Sequence, residues 1–187
     1  MSQLGERELA WRASRVRLVL SDVDGVLTDG GVYYGEQGEV MKRFSVRDGM
    51  GVERLRAAGI VTGLVTRERS AAVARRAEKL RIEHAYLGIF DKRLHLSRIL
   101  DDAAVARDEV AYIGDDVNDL EILAEIGVAG LTAAPADAFP SVAGAVHRVT
   151  RAAGGHGAFR EFAEWILELR KLAARSVSGQ GQPAARA

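Results

Sequence analysis

The sequence contains no cysteine, which excludes disulfide bonds, thiol catalysis and cysteine-ligated zinc. Proline is scarce, with three residues, and no apolar run approaches the roughly 20 residues of a membrane-spanning helix. Neither sign of charge is in excess, because 26 Lys and Arg residues balance 26 Asp and Glu residues. Without a net field to attract polyanions, we expect no nucleic acid and no membrane as a partner. Residues 1–17 are charged and lack the apolar core of a signal peptide, which predicts a cytoplasmic protein.

The chain of 187 residues is long enough for one domain with a sizeable core. Hydrophobic residues make up 48% of it and charged residues 28%, which is typical of a globular protein and not of a disordered one. We predict an N-terminal extension over residues 1–14 and a folded domain over residues 15–174. Residues 175–187 are rich in Ser, Gly, Gln and Ala, which predicts a flexible C-terminal tail.

Short apolar segments alternate with amphipathic ones along the domain. Near-continuous apolar runs indicate strands that are buried on both faces, at residues 16–20, 59–65 and 110–113. Apolar spacings of three and four indicate helices at residues 51–58, 70–80, 91–100, 118–126 and 157–172. This alternation predicts an α/β fold with a doubly wound parallel sheet.

One segment, residues 31–46, departs from the alternation. Two runs with strand character flank the sequence Gly35-Glu36-Gln37-Gly38, which predicts a β-hairpin that projects from the sheet directly after the first strand. A two-stranded hairpin is only marginally stable alone. We therefore expect it to pack against something else, such as another subunit.

Polar side chains follow the three predicted strands, at the sheet edge where open α/β folds bind ligands. Two carboxylates spaced two residues apart lie on one side of an extended segment and repel each other, which favours a bound cation or a shared proton. Carboxylates without neighbouring His or Cys suit Mg²⁺, whereas a hydroxyl and an ammonium group suit a phosphoryl group. The combination predicts phosphoryl transfer with an aspartate as covalent nucleophile. The residues concerned are Asp22, Asp24, Thr66, Lys92, Asp115, Asp116 and Asp119.

In order and spacing, these residues resemble the signature of the haloacid dehalogenase superfamily of phosphohydrolases: Asp-x-Asp-Gly, then Ser or Thr, then Lys, then Gly-Asp-Asp-x-x-Asp. The resemblance implies that Asp22 becomes an aspartyl phosphate and that Asp24 acts as general acid and base. It implies that Thr66 and Lys92 hold the phosphoryl group. The implied cofactor is Mg²⁺, held by Asp22, Asp115 and the main-chain carbonyl of Asp24. Asp116 and Asp119 would support these groups from outside the ligand shell.

The spacing of the motifs leaves room for the hairpin and one helix between Asp24 and Thr66, and for one helix and a turn between Lys92 and Asp115. No cap domain fits at either place. Within the superfamily the chain resembles the capless 3-deoxy-D-manno-octulosonate 8-phosphate phosphatases, over residues 22–30, 44–51, 110–116 and 149–158. The resemblance implies a phosphorylated 2-keto-3-deoxy sugar acid as substrate. It also implies a homotetramer built through the hairpin, in which a neighbouring subunit lines each open site.

The same resemblance implies residues that contact the sugar acid: Asp24, Ser45, Arg47, Asp48, Gly49, Glu68, Arg76 and Lys92. Arg47 is suited to bidentate pairing with the sugar carboxylate. Considered without the family, Arg47 and Asp48 also fit an ordinary surface arginine and a helix cap.

Two positions depart from the family pattern. Thr66-Arg67-Glu68 stands where the family has Thr-Gly-Arg, and Glu53 replaces a basic residue. Glu68 is similar to the Thr-Gly-Glu of a related branch that acts on nine-carbon keto-deoxy-nonulosonate 9-phosphates. The nine-carbon substrate is therefore an alternative to the eight-carbon one.

Two functions of other classes also fit part of the pattern. A signalling receiver domain uses Asp, Thr, Lys and an acidic pair on the same kind of sheet, but it has no acid two residues after its phosphorylated aspartate, where this chain has Asp24. A catalytically idle module would not need the complete set of motif residues. Both alternatives are thus less consistent with the sequence than a phosphatase.

Overall fold

The computed structural model describes residues 4–179 of the chain. Its central sheet contains β1 (Leu18–Ser21), β4 (Val61–Thr66), β5 (His84–Leu87), β6 (Val110–Ile113), β7 (Leu131–Ala134) and β8 (Arg148–Val149). These six strands are parallel and lie in the order β5-β4-β1-β6-β7-β8. The helices are α1 (Glu6–Arg15), α2 (Val46–Ala57), α3 (Ala71–Leu80), α4 (Lys92–Ala103), α5 (Leu120–Gly127), α6 (Pro140–Ala143) and α7 (Ala158–Gly179).

The apolar core is divided into two layers. One cluster joins the sheet to α1, α2, α3 and α7, and includes Leu55, Val73 and Phe162. The other joins it to α4, α5 and α6, and includes Ile99 and Ile122. Because helices contribute to both clusters, the predicted doubly wound parallel sheet is confirmed. The predicted strands correspond to β1, β4 and β6, which are adjacent at the centre of the sheet.

The predicted hairpin is present as an antiparallel pair, β2 (Tyr33–Gly35) and β3 (Gly38–Met41). Gly38 closes its two-residue loop with a φ of +109°, a conformation that favours glycine. The pair forms a sheet of its own, separate from the central one. Between Asp24 and the start of β4 the helices and strands are this hairpin and α2, and no cap domain intervenes among these described residues.

Both terminal segments differ from the sequence-based description. Residues 1–14 were expected to be an extension, but α1 packs against α7 and buries Ala10 and Ala13 in the core. Helix α7 continues to Gly179, so residues 175–179 are helical where a flexible tail was expected. The rest of that predicted tail, residues 180–187, lies outside the described residues. Among residues 4–179, no helix combines the length and the apolar character needed to cross a membrane.

Candidate active site

A cavity of about 340 Å³ opens at the carboxyl ends of the central strands. Loops after β1, β4 and β6 form its walls, so the topology itself brings together motif residues that are distant in sequence. Six of the predicted site residues line this cavity: Asp22, Asp24, Thr66, Glu68, Asp115 and Asp116. Asn118, which the sequence analysis did not single out, lines it as well.

Asp22 directly follows β1 and is 5% exposed. Its backbone N–H donates to the carbonyl of Ile113 on β6 at 3.0 Å, which fixes the residue between the two central strands. One carboxylate oxygen, Oδ1, accepts the backbone N–H of Val23 at 2.7 Å. Burial and the nearby Asp119 carboxylate raise the pKa of Asp22 to about 8, against the opposing effect of Lys92.

Lys92 is the first residue of α4 and is almost fully buried beneath Asp22. Its Nζ lies 3.0 Å from Oδ2 of Asp22 and 2.6 Å from Oδ1 of Asp119. Burial disfavours the ammonium form, but the two carboxylates outweigh it and raise the pKa of Lys92 above its usual value. A permanent positive charge is therefore held at the floor of the site.

Asp119 connects Lys92 to Tyr112 and to the backbone of the loop after β6. Its Oδ1 also accepts the hydroxyl of Tyr112 at 2.6 Å, and its Oδ2 accepts the backbone N–H of Asp115 at 3.0 Å. Burial, together with the charge of Asp119, raises the pKa of Tyr112 well above its usual value, so the phenol stays a donor. Sequence reasoning did not identify Tyr112; the only available signal was one hydroxyl in an otherwise aliphatic strand.

The donor set fits a hard divalent cation. Carboxylate oxygens of Asp22, Asp115 and Asp119 lie within 4.8 Å of one another. Those of Asp119 are engaged by Lys92, Tyr112 and backbone, whereas the buried Oδ1 of Asp115 has no hydrogen-bond partner among residues 4–179. Burial, together with Asp119 and Asp116, raises the pKa of Asp115 to about 7. Asp22 and Asp115 are thus carboxylates that a cation would stabilise in ionised form.

Gly25 permits the approach of Asp115. A Cβ on Gly25 would lie 2.0 Å from Oδ2 of Asp115, and the glycine has a φ of +80°. A side chain at this position would therefore both strain the backbone and displace the carboxylate. The glycine-rich loop at 154–157 packs on the same segment, because a Cβ on Gly154 would lie 1.9 Å from the carbonyl oxygen of Gly25.

Asp24 is half-buried at the cavity wall and faces the hairpin with one oxygen. Its Oδ1 lies 2.5 Å from Nζ of Lys42 and accepts the hydroxyl of Thr28 at 3.3 Å. The other oxygen, Oδ2, is buried and has no hydrogen-bond partner in the described part of the chain. Lys42 was not identified from the sequence, because no motif distinguishes it from other basic residues of the hairpin.

Thr66, Glu68 and Asp116 occupy other parts of the cavity wall. Thr66 ends β4, is buried, and accepts the backbone N–H of Glu68 at 3.3 Å on its hydroxyl. Glu68 is exposed at the rim of the cavity. Asp116 caps the 3-10 turn over Val117–Asp119 by accepting the backbone N–H of Val117 at 2.7 Å.

Asp48 is fixed elsewhere, although the resemblance implied a contact with the sugar acid. It is 1% exposed and does not line the cavity. Its two oxygens accept the backbone N–H groups of Gly157 at 3.1 Å and Arg160 at 3.0 Å. Burial raises its pKa despite these bonds. Asp48 lies within α2, where Ser45 is the N-cap, and through these two bonds it caps the start of α7 across the fold.

The remaining predicted substrate residues form a junction between α2 and α3 and do not line this chain's own cavity. Ser45 caps α2 by accepting the backbone N–H of Arg47 at 3.1 Å, and Arg47 itself is exposed. Arg76 donates to the carbonyl of Ser45 at 2.9 Å. Gly49 leaves room for this contact, because a Cβ there would lie 2.7 Å from a guanidinium nitrogen of Arg76.

Comparison with known proteins finds phosphatases among the relatives of this chain, although no family model matches it. A 3-deoxy-D-manno-octulosonate 8-phosphate phosphatase from Yersinia pestis is 42% identical over 156 residues, which are 83% of this chain and 82% of the relative. The structure of such a phosphatase from Moraxella catarrhalis, in complex with magnesium, phosphate and KDO, has a TM-score of 0.82 at 32% identity and covers 92% of this chain and 98% of that one. A Legionella pneumophila protein described as a HAD superfamily (subfamily III A) hydrolase has a TM-score of 0.82 at 37% identity, with 92% and 93% coverage.

Proposed function

Because the chain belongs to the 3-deoxy-D-manno-octulosonate 8-phosphate phosphatases of the haloacid dehalogenase superfamily, we propose that its cavity hydrolyses the phosphate ester of this eight-carbon sugar acid. The products are the free sugar acid and inorganic phosphate, and the cofactor is Mg²⁺. The observation that carries the proposal is the contact of Lys92 with Asp22 beside Oδ1 of Asp115, which has no hydrogen-bond partner among residues 4–179. This arrangement brings together a nucleophile (Asp22), a buried cation (Lys92) and a candidate metal ligand (Asp115) at one edge of the sheet.

Asp22 is the proposed nucleophile. One of its carboxylate oxygens attacks phosphorus, the bond from phosphorus to the ester oxygen breaks, and the leaving alcohol takes a proton from Asp24. Water then attacks phosphorus of the aspartyl phosphate, Asp24 accepts the proton of that water, and phosphate leaves with Asp22 restored. Lys92 keeps the Asp22 carboxylate oriented and offsets the negative charge that gathers on the phosphoryl oxygens.

Thr66 and the metal ligands complete the phosphoryl site. The buried Thr66 ends its strand at the cavity, which suits its hydroxyl to donate to a phosphoryl oxygen. Asp22 and Asp115, with the main-chain carbonyl of Asp24, would hold Mg²⁺, which supplies positive charge to the phosphoryl oxygens when bound. Asp119 holds Lys92 and the Asp115 loop in place and Asp116 caps the turn beside them.

The eight-carbon substrate is favoured over the nine-carbon one. Eight curated relatives that are 38% to 42% identical to this chain are named as phosphatases of the eight-carbon sugar acid. Glu68 stands at the rim of the cavity, where it would contact the substrate beyond the phosphoryl group. The receiver domain and the idle module are not favoured, since the family consists of phosphatases.

We further propose a homotetramer built through the hairpin. The large apolar side chains of the hairpin are open to solvent in the single chain, with Tyr34 72% and Val40 65% exposed. Burial of such a patch between subunits is favourable. The exposed Arg47 would then reach the site of a neighbouring subunit, which is consistent with its position outside the cavity of its own chain. A cytoplasmic location stays a prediction from the sequence.

The test is phosphate release from the eight-carbon sugar acid phosphate with Mg²⁺, with EDTA, and with the nine-carbon analogue. We expect sustained turnover with Mg²⁺, none with EDTA or in Asp22→Asn, and a higher kcat/KM for the eight-carbon substrate. A higher kcat/KM for the nine-carbon substrate would overturn the substrate assignment. Turnover by Asp22→Asn within about tenfold of the unaltered enzyme would remove Asp22 from its role, since removal of a nucleophile costs far more than that.

A further inference from the structure

Lys42 is a buried lysine that the proposed mechanism does not use. It follows β3, and none of its side-chain surface is exposed. Its Nζ lies 2.5 Å from Oδ1 of Asp24 and 3.6 Å from an oxygen of Glu39. A buried ammonium is costly unless carboxylates pair with it, so these two contacts explain why the charge is tolerated there.

The hairpin is tied to a second loop of the site by the same group of residues. Glu39 accepts the hydroxyl of Ser70, which in turn caps α3 by accepting the backbone N–H of Val73 at 3.3 Å. Ser70 ends the loop that follows Thr66 of β4 and contains Glu68. The chain of contacts therefore runs from the β4 loop through the hairpin to Asp24.

The two oxygens of Asp24 differ in their surroundings. Oδ1 is held by two donors from different segments, Lys42 at 2.5 Å and Thr28 at 3.3 Å. Oδ2 is buried and has no hydrogen-bond partner among residues 4–179. Rotation of the carboxylate would break both contacts to Oδ1, and the contact to an ammonium group is of the stronger, charge-assisted kind.

We propose that Lys42 is a positioning residue for catalysis: it fixes Oδ1 of Asp24, so that Oδ2 is the oxygen that gives and takes the proton. This inference rests on the acid–base role proposed for Asp24. Among residues 4–179, Lys42 forms ion pairs with Asp24 and Glu39 and none with Asp22 or Asp115. We therefore expect its effect on proton transfer to pass through the Asp24 carboxylate.

Attachment of the hairpin is the competing explanation for Lys42, and kinetics with two leaving groups separates the two. p-Nitrophenyl phosphate releases a stable anion, so formation of the aspartyl phosphate from it needs no acid, whereas hydrolysis of that intermediate needs Asp24 as base. A misplaced Asp24 therefore leaves a rapid burst of one equivalent of nitrophenolate and slows the later turnover. A distorted site would slow the burst as well.

The experiment compares Lys42→Met, Lys42→Arg and the surface control Lys171→Met. In Lys42→Met we expect the nitrophenolate burst to be unchanged. Steady-state turnover should fall by about tenfold or more on both the aryl phosphate and the sugar acid phosphate, because the contribution of acid–base catalysis is of this order or larger. Lys42→Arg retains a cation and should recover most of the rate, and Lys171→Met should equal the unaltered enzyme. A burst slowed as much as the turnover, or full turnover in Lys42→Met, would overturn the inference.

A double variant tests whether the effect passes through Asp24. Added to Asp24→Asn, Lys42→Met should change the residual rate by no more than about twofold, the usual margin of additivity. An independent fall equal to that of the single variant would contradict the inference. Unimpaired turnover in Asp24→Asn would instead refute the proposed role of Asp24, so the two failures are distinguishable.

Discussion

The Nζ atom of Lys92 lies 3.0 Å from Oδ2 of Asp22, although one residue begins α4 and the other follows β1. This contact places a buried cation directly against the proposed nucleophile. It requires that β1 and β6 be adjacent and that Asp119 hold Lys92 from the far side, at 2.6 Å. The contact between Lys92 and Asp22 therefore depends on the order of the strands and on the buried ion pair between Lys92 and Asp119.

Removal of this cation should affect activity and stability together. Lys92→Met leaves Asp22 and Asp119 buried without their counter-ion, and breaking a buried pair costs about 3–5 kcal/mol. We expect the free energy of unfolding in urea to fall by that order. Phosphate release should fall by a factor of about 10² to 10³, as on removal of one group that stabilises transition-state charge. Lys171→Met is the matched control, and equal behaviour of the two variants would contradict the assignment.

Gly25 should be needed for metal binding more than for folding. Gly25→Ala and Gly59→Ala both place alanine at a positive φ, +80° and +74°, but only the first drives a Cβ into Asp115. Both should lose stability, by more than about 1 kcal/mol, because alanine does not fit this conformation. Only Gly25→Ala should weaken Mg²⁺ binding in a titration. Equal Mg²⁺ affinity in the two variants would show that Asp115 is not a ligand.

Mg²⁺ binding should release protons and strengthen with pH. Burial and neighbouring carboxylates raise the pKa of Asp22 to about 8 and of Asp115 to about 7 in the metal-free protein. Since a ligand must be ionised, Mg²⁺ has to displace these protons below about pH 7. Calorimetry in buffers of different ionisation enthalpy should detect proton release. A Mg²⁺ affinity that does not change between about pH 6 and 9 would contradict this expectation.

The same pKa shifts predict how stability depends on pH without metal. Both pKa values lie above the 3.8 of an unperturbed aspartate, so the folded protein binds more protons than the unfolded chain. The contribution of these two groups to stability in EDTA should therefore be fully present below about pH 4 and be lost as the pH rises towards 8. Added Mg²⁺ should restore stability at the upper end. A thermal unfolding midpoint that rises with pH over this interval in EDTA would contradict the prediction.

The central strands were predictable and the outer ones were not, for physical reasons. β1, β4 and β6 are covered on both faces and so read as apolar runs. The edge strand β5 is only half-buried and carries His84 and Tyr86, while β7 contains two alanines, which favour strands weakly. Helix α1 buries Ala10 and Ala13, residues too small to give a clear apolar stripe.

The residues that line the cavity were easier to predict than the contacts around them. Asp22 and Asp115 follow central strands and Thr66 ends one, so the strand order brings them together. The contacts of Lys42 and Tyr112 with site residues could not be predicted from the sequence, because they arise from packing between separate segments of the chain. Asp48 shows the reverse case: a motif residue that the fold uses to cap α7.

The central claim is that phosphorus becomes bonded to Asp22 during turnover. Asp24→Asn should slow hydrolysis of that intermediate by about 10² to 10⁴-fold, so that it accumulates. We predict that rapid quenching of this variant with substrate and Mg²⁺, followed by peptide mass spectrometry, will find one phosphoryl group, on Asp22. Phosphate release in the absence of any covalent phosphoryl group, or a phosphoryl group on another residue, would contradict the account.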